Sequence, residues 1–217
     1  MTLSLEITAV QSAYYSGGSP VRTPPPDLPS LLLNERIVYV GLPLAEEAEA
    51  NVTKLVIAQL LYLQYEDREK PIYMYINSTG TYNYDTAAFA IVDTMNYIKP
   101  PVHTICIGNA IGMAAMLLAS GTKGLRASLP NATIVLHQPF GGAQGQASDI
   151  QIRTQELVSI RHMMVDQLAN RTGQTAEKIS HDIERFFFMT PEEAQAYGLI
   201  DKVLSSNKDL PMPALVG

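Results

Sequence analysis

Short strand patterns and helical patterns alternate along most of this chain, and this alternation restricts the fold more than any other feature. The first strand pattern is the β-branched and aromatic segment RIVYVG at Arg36–Gly41, and the next is PIYMYIN at Pro71–Asn77. Between them, apolar residues recur with helical spacing at Val52, Leu55, Val56, Leu60 and Leu63. Strand, helix and strand in repeat predict βαβ units, and therefore a parallel sheet with right-handed crossovers.

The alternation continues towards the C-terminus. AAFAIVDTMNYI and MAAMLLAS predict helices, and HTICIG and ATIVLH predict strands. Apolar residues then step by three and four, which predicts a long helix over about 149–170 with Ser148 and Gln151 as a capping box and Gly173 at its end. A second capping box, Thr190 with Glu193, opens a short helix that ends before the strand pattern LIDKVL.

The beginning of the chain has a different composition. YYSGGSPVRTPPPDLP is rich in proline and glycine, and proline fixes φ and lacks an N–H donor. We therefore expect a flexible arm over residues 1–27, one domain over 28–206 and a short tail over 207–217. The N-terminus lacks the basic region and apolar stretch of a secretory signal.

Composition excludes several functions. With 217 residues and 47% hydrophobic side chains, the chain can bury the core of one globular domain. The net charge of -6, without a Lys/Arg cluster, argues against a nucleic-acid partner. Cys106 is the only cysteine, and the four histidines lack ligand spacing, so we expect no metal or cofactor. The apolar runs are too short to span a membrane.

The segment His103–Gly124 has the strand–turn–helix pattern that holds a nucleophile in some enzymes. The turn position falls on Gly112, directly before Met113. Glycine has no side chain that could attack a substrate, although it adopts the strained backbone of such a turn freely. The pattern therefore predicts an elbow without a nucleophile.

Three other side chains are candidate nucleophiles. Cys106 lies within an apolar strand pattern, where a buried thiol is usually inert. Ser120 lies near the far end of the helix after the elbow. Ser78 follows a strand, and serine in that position most often bonds the local backbone. A peptidase that uses Ser78 or Ser120 with His137 is an open alternative.

Several motifs make the pattern specific. YMYINSTG, LHQPFGGAQGQASDI and YGLIDKV, in this order, resemble the ClpP family of serine peptidases over roughly residues 30–205. The resemblance implies an α/β, ClpP/crotonase-like fold of repeated ββα/βαβ units. It also implies a protruding handle, a strand plus the long helix, over about 138–171.

The resemblance gives the positions of the family's catalytic residues. Its serine falls on Gly112 in GNAIGMAA, its histidine on His137 in HQP, and its aspartate on Phe186 in IERFFFMTPEEA. Without a nucleophile nothing can be acylated, and without the carboxylate the histidine loses the group that orients it. The oxyanion region is also altered at Thr81 and Met113. The resemblance therefore implies a degenerate triad and no enzymatic activity, similar to the ClpR-type members of the family.

The resemblance also implies an assembly. In the family the handle meets an opposite ring, and the corresponding residues here are Gly141, Gly142, Gln144, Gln146 and Arg185. An apolar cleft of the family docks a Clp/Hsp100 AAA+ ATPase. The matching candidates here are Tyr62, Tyr73, Tyr75, Ile107 and Leu129.

We therefore expect a catalytically inactive ClpP-like subunit with a structural position in a mixed Clp protease core. Catalytic paralogues would share its heptameric ring and the stacked double ring, in the cytoplasm or the plastid stroma. A crotonase-like acyl-CoA-binding protein is the second alternative, since that superfamily shares the fold and an oxyanion hole without a nucleophile.

Overall fold

The computed structural model describes residues 27–41, 44, 52–81 and 86–206. The tail expected over 207–217, and all of the expected arm except Asp27, lie outside the described residues. The described elements follow in the order α1 (Leu28–Asn34), β1 (Ile37–Val40), α2 (Val52–Glu66), β2 (Ile72–Ser78), α3 (Thr86–Tyr97), β3 (Val102–Ile111), α4 (Met113–Ala119), β4 (Arg126–Ser128), β5 (Thr133–Leu136), α5 (Ala147–Thr172), α6 (Ala176–Asp182), β6 (Phe187–Met189), α7 (Pro191–Tyr197) and β7 (Lys202–Val203).

The strands form one mixed sheet around the long strand β3. Strands β1, β2, β3, β4 and β7 are neighbours in that order, and all of these pairs are parallel. The first half of β3 pairs with β4 and its second half pairs with β5. Strand β6 adds to β5 in the antiparallel direction. The predicted parallel sheet is therefore confirmed except at β6, and the end of β3 lies beside β5.

The two faces of the sheet are covered unequally. Ile72, Met74 and Ile76 of β2 belong to the main core, together with buried residues of α2, α3, α4 and the second half of α5. The alternate residue Tyr73 belongs to a small second cluster on the other face, against which Tyr75 packs. Since successive side chains of a strand point to opposite faces, one face is thickly covered and the other only thinly.

A buried ion pair joins four parts of the fold, and we call it the Arg126 clamp. The Arg126 guanidinium donates to both carboxylate oxygens of Asp201, at 3.0 and 2.7 Å, and to the carbonyls of Ala119 and Arg171. The clamp therefore connects β4 to the ends of α4 and α5 and to the loop before β7. Burial opposes the charged form of Asp201, but the hydrogen bonds and charge of Arg126 outweigh it and lower the pKa of this carboxyl.

Several local predictions are confirmed and others are wrong. The Thr190–Glu193 capping box is present, and Gly173 ends α5 in the left-handed conformation. The capping box at Ser148 is wrong, because α5 begins at Ala147, two residues earlier than predicted, and its N-cap Gln146 makes no side-chain capping bond. Residues 138–146 form no strand within the described chain, so the strand expected in the handle is not observed.

Candidate functional site

The predicted elbow has the backbone geometry of a sharp turn. Gly112 has φ 57° and ψ -114°, which lies outside the regions that residues with a side chain usually adopt. Its N–H donates to the carbonyl of Val135 at 2.8 Å, which fixes the turn against β5. Its own carbonyl accepts from Ala115 and Met116 and so begins α4. The elbow thus forms as expected, and it carries no side chain.

Strand pairing brings His137 and Phe186 together. Leu136 of β5 is paired with Phe187 of β6 in antiparallel register. His137, which follows Leu136, therefore lies beside Phe186, which precedes Phe187. The ring centroids of His137 and Phe186 are 5.0 Å apart, and Phe140 lies on His137 at 5.3 Å. Gly112, His137 and Phe186, which we call the elbow site, therefore converge from three separate segments.

The imidazole of His137 lies against the elbow. A Cβ atom added to Gly112 would be 2.4 Å from Nε2 of His137, so the ring occupies space that a side chain at position 112 would need. The other ring nitrogen, Nδ1, donates to the Gln138 carbonyl at 2.8 Å. The Phe186 side chain offers no hydrogen-bond acceptor. Among the described residues, the imidazole of His137 is thus oriented by a backbone carbonyl, and Gly112 beside it has no side chain.

Gln138 holds the two segments of the elbow site together, and sequence reasoning did not select it. Its N–H donates to the carbonyl of Ile183 at 2.8 Å, and its side-chain amide donates to the carbonyl of Glu184 at 3.4 Å. Arg161 of α5 donates to its side-chain oxygen at 3.2 Å. The motif HQP contained the signal, since Gln138 directly follows the histidine. These bonds link the handle helix to the segment that positions Phe186.

The oxyanion region has a glycine that packs closely on the elbow. Gly80 has φ 86°, and a Cβ there would lie 2.5 Å from the Ile111 carbonyl oxygen. Its N–H donates to Oγ of Ser78 at 3.2 Å, and its carbonyl accepts from Leu44. Thr81 is buried and forms a parallel bridge with Leu44, while Met113 is buried at the start of α4. Residues 82–85 lie outside the described part of the chain.

The alternative nucleophiles have structural roles. Ser78 is buried at the end of β2, and its Oγ accepts the N–H of Gly80, the local backbone bond expected of a turn serine. Ser120 is buried and donates to the Met116 carbonyl at 2.8 Å. Burial raises the pKa of the Cys106 thiol to about 11, which disfavours the nucleophilic thiolate. None of these observations favours one of them as a catalytic residue.

The candidate docking residues are only partly brought together. Tyr73 lies in the small second cluster, and Tyr75, Ile107 and Leu129 pack against that cluster as partly buried residues. Tyr62 does not join them, because it lies on α2, whose buried residues belong to the main core on the opposite face of the sheet. Within one chain the structure thus supports a surface of four candidates, with Tyr62 separate.

The handle residues are exposed. Gly141, Gly142, Gln144 and Gln146 are accessible to solvent, as is Arg185 beside the elbow site. In α5 no residue before Ile160 is buried, so its first half projects from the domain.

Two kinds of feature are absent from the described residues. They include no group of three or more His, Cys, Asp or Glu side chains that could hold a metal ion. Within the same part of the chain, no helix has the length and hydrophobicity needed to cross a bilayer.

Comparison with known proteins agrees with this geometry. The model of the family described as Clp protease matches residues 26–207. The chain belongs to the Clp protease family. This result confirms both the family to which the sequence motifs pointed and the α/β fold class.

Individual members of the Clp protease family are closely similar over most of the chain. An ATP-dependent Clp protease proteolytic subunit-like protein of a Synechocystis species is 59% identical over 98% of this chain and all of its own length. The ATP-dependent Clp protease proteolytic subunit 2 of Gloeobacter violaceus is 56% identical over 90% of this chain and 89% of its own. The chloroplastic proteolytic subunit-related protein 4 of Arabidopsis thaliana is 48% identical over 89% of this chain and 64% of its own.

Proposed function

We propose that this chain is a catalytically inactive, ClpR-type subunit that takes a structural position in a mixed Clp protease core. The observation that carries the proposal is the elbow at Gly112, where the backbone turn is present and the imidazole of His137 occupies the space a nucleophile would need. A serine peptidase needs an attacking oxygen at this point, and glycine supplies no such atom.

The rest of the elbow site supports the same conclusion. The Phe186 ring lies beside His137 where a triad carboxylate would lie, so Nδ1 bonds to the Gln138 carbonyl instead. In a working triad the carboxylate stabilises the imidazolium that forms when the base takes a proton, and a neutral carbonyl does this far less well. Both proton transfer and attack would therefore be lost in this subunit.

The structural role is supported by the exposed surfaces of the chain. The projecting half of α5 presents Ile152 and Val158 to solvent, at 65% and 49% exposure. A surface helix with exposed apolar residues is stabilised when a partner covers them. The proposal assigns catalytic ClpP-type paralogues to the same heptameric ring and to the stacked second ring. It assigns a Clp/Hsp100 AAA+ ATPase to the thinly covered sheet face at Tyr73, Tyr75, Ile107 and Leu129.

The names of the relatives are compatible with this assignment. One is a chloroplastic protein described as related to a proteolytic subunit, and another is described as subunit-like. The proposed location of this chain is accordingly the cytoplasm or the plastid stroma. No observation in the elbow site favours an acyl-CoA ligand.

The test is native mass spectrometry of the tagged chain purified from its own cell, combined with a fluorophosphonate probe that labels serine nucleophiles. We expect a complex with the mass of a seven-membered ring or its double that contains a second ClpP-like chain. The probe should label that second chain and leave this one unlabelled. A monomer, a pure homo-oligomer or labelling of this chain would overturn the proposal.

A matched pair of variants separates a silent subunit from a weakly active one. His137→Ala in this chain should leave the peptidase rate of the purified complex unchanged. The equivalent substitution of the catalytic histidine in the labelled partner should abolish that rate. If His137→Ala in this chain alone reduces peptide turnover while the complex stays assembled, the chain contributes catalysis and the proposal fails.

A further inference from the structure

The described part of the chain ends on the thinly covered face of the sheet. Leu204 follows β7, is only 3% exposed, and belongs to the small second cluster on that face. Its N–H donates to the Ser128 carbonyl at 2.9 Å, which continues the parallel pairing of β7 with β4. Strand β7 is the last in the order of the sheet, and Ser205 and Ser206 after it are exposed. The segment that follows therefore begins at the edge of this face.

The same face presents an apolar surface that stays partly open. Tyr75, Ile107 and Leu129 pack against the second cluster and are only half-buried. Tyr39 of β1 is the register partner of Tyr75, so its side chain lies on the same face, and it is 49% exposed. Parallel sheets almost always have both faces covered, because their strands are apolar on both. We therefore expect this face to have a cover.

The sequence after Leu204 has two parts of different chemistry. Residues 205–209, SSNKD, are polar and of the types that form turns. Residues 210–216, LPMPALV, are all apolar, and we call them the apolar tail. Pro211 and Pro213 hold φ near about -65° and lack N–H donors, which predicts the extended polyproline II conformation instead of a helix or a paired strand. A turn followed by an extended apolar stretch is suited to folding back over the face.

The apolar tail is long enough to cross the face. Its seven residues span about 22 Å in the polyproline II conformation. The sheet from β7 to β1 is four strand spacings wide, or about 19 Å. Proline-rich segments in this conformation dock on grooves lined by aromatic side chains, which Tyr39 and Tyr75 provide. Because the apolar tail is tethered beside the face, its effective concentration there is high, and a modest intrinsic affinity is sufficient.

We propose that the apolar tail lies across the thinly covered face of its own chain and covers Tyr39 and Tyr75. Any other protein that binds this face must first displace the apolar tail. For the ATPase assigned to the same face, the apolar tail is a tethered competitor that regulates docking, and this consequence rests on the proposed function.

The chain contains no tryptophan, so a single introduced indole reports where the apolar tail lies. Met212→Trp places the indole in the apolar tail of the full-length chain, and Lys208→Trp places it in the polar part as a control. Acrylamide should quench the indole of Met212→Trp less, its emission should be blue-shifted, and both differences should persist on dilution. Equal quenching in the two variants, or protection that is lost on dilution, would overturn the inference.

Two tyrosines provide matched variants in the Met212→Trp background. Tyr75→Ser removes a ring from the face and should raise quenching to the level of Lys208→Trp. Tyr65→Ser removes an 86% exposed ring from α2, which packs on the other face, and should leave the indole protected. Circular dichroism shows whether each variant is folded. An indole that stays protected in a folded Tyr75→Ser, or is exposed equally in both variants, would contradict binding at this face.

A competition experiment leaves the face itself unchanged. A dye-labelled peptide with the sequence of residues 207–217 is titrated with the full-length triple variant Leu210→Ser, Met212→Ser, Leu215→Ser, while fluorescence anisotropy is recorded. We expect saturable binding, and binding about 10-fold weaker to the wild-type chain, whose own apolar tail competes for the face. A peptide with the same three serines should not bind. Equal affinity for the two chains, or binding to neither, would overturn the inference.

The outcome is separable from that of the proposed function. If the chain assembles with a labelled paralogue but acrylamide quenches both indoles equally, only the cover is wrong. If the indole of Met212→Trp is protected but the chain is itself labelled by the serine-directed probe, the proposed function is wrong and the cover remains.

Discussion

The elbow site and the Arg126 clamp lie in the same sheet and differ in what their side chains provide. At the clamp, each nitrogen of the Arg126 guanidinium donates a hydrogen bond, and both carboxylate oxygens of Asp201 accept one. At the elbow site the backbone turn is equally well formed, but Gly112 and Phe186 supply no group that could take part in hydrolysis.

The difference teaches that the framework of this fold does not depend on catalytic side chains. The turn at Gly112 is held by backbone bonds to β5 and by the start of α4, and the sheet beneath is held by burial and by the clamp. The turn therefore keeps its shape with a glycine at position 112. Mutations should divide accordingly into those that affect stability and those that do not.

The largest effect is expected at the clamp. Arg126→Ala removes the guanidinium from the partly buried carboxylate of Asp201, which keeps only the backbone N–H donors of Gly124 and residue 126, and it removes a donor from two carbonyls. The free energy of unfolding should therefore fall by about 3–5 kcal/mol. Urea denaturation measures this loss. The surface ion pair of Arg153 with Glu156 provides the control, and Arg153→Ala should cost no more than about 1 kcal/mol. Equal losses in the two variants would show that the Arg126 clamp stabilises the fold no more than a surface ion pair does.

A smaller effect is expected at the elbow. Gly112→Ala adds a side chain at positive φ and displaces the His137 ring, which should lower the free energy of unfolding by about 1–3 kcal/mol. In a His137→Ala background no ring has to be displaced, so Gly112→Ala should lower the free energy of unfolding by about 1 kcal/mol less. Gly124→Ala, where the added Cβ meets nothing within 4 Å, should cost the same in both backgrounds. If the losses of unfolding free energy in the two single variants simply add in the double variant, a side chain at position 112 does not contact the His137 ring.

Acid pH should weaken the clamp. The folded-state pKa of Asp201 is below its unfolded value of about 3.9, so its contribution to stability is complete above that value and is lost as the pH falls towards the folded-state pKa. Asp201→Asn should therefore be less stable than wild type at neutral pH, and the difference should shrink below about pH 4. Thermal melts between pH 3 and 7 measure it, with Asp93→Asn on the surface of α3 as the control. A difference that does not change with pH would exclude this role for the carboxylate.

The smallest effect is expected at Phe186. Because its ring is 61% exposed, Phe186→Asp should change the free energy of unfolding by no more than about 0.5 kcal/mol. Phe187, which packs against the main core and lies 5.7 Å from the ring of Tyr197, should show a clearly larger loss when replaced by alanine. Unfolding of Phe186→Asp would mean that this ring supports the fold, and the elbow site would then resemble the clamp.

The sequence predicted the core elements well because each has a strong periodicity. The strands at Ile37–Val40 and Ile72–Ser78 and the helix at Thr86–Tyr97 formed close to their expected positions. The short elements α1, β4, α6 and β6 were not predicted. Strands β4 and β6 have only three residues each, and α1 and α6 bury at most one side chain and so show little amphipathic pattern. For β6 the run of three phenylalanines shows no alternation, although Phe187 faces the core while Phe186 and Phe188 face solvent.

The site was predicted in its positions but not in its contacts. Sequence motifs located Gly112, His137 and Phe186, whereas the bond of His137 to the Gln138 carbonyl depends on a side-chain orientation that no pattern encodes. Tyr62 is separate from Tyr73 because α2 packs on one face of the sheet and the cluster of Tyr73 lies on the other. The spacing of these residues along the chain does not reveal which face each one is on. The expected handle strand is not formed, because residues 138–146 make no strand pairing within the described chain.

The projecting half of α5 offers a way to follow assembly directly. From Ala147 to Ser159 about 20 Å of helix stands away from the core, and helices of this length are marginal when tertiary packing is lacking. Its amide protons should exchange rapidly with deuterium in the isolated chain and slowly once a neighbour covers them. Isotope exchange along this one segment would therefore report in real time, residue by residue, whether a neighbour covers it.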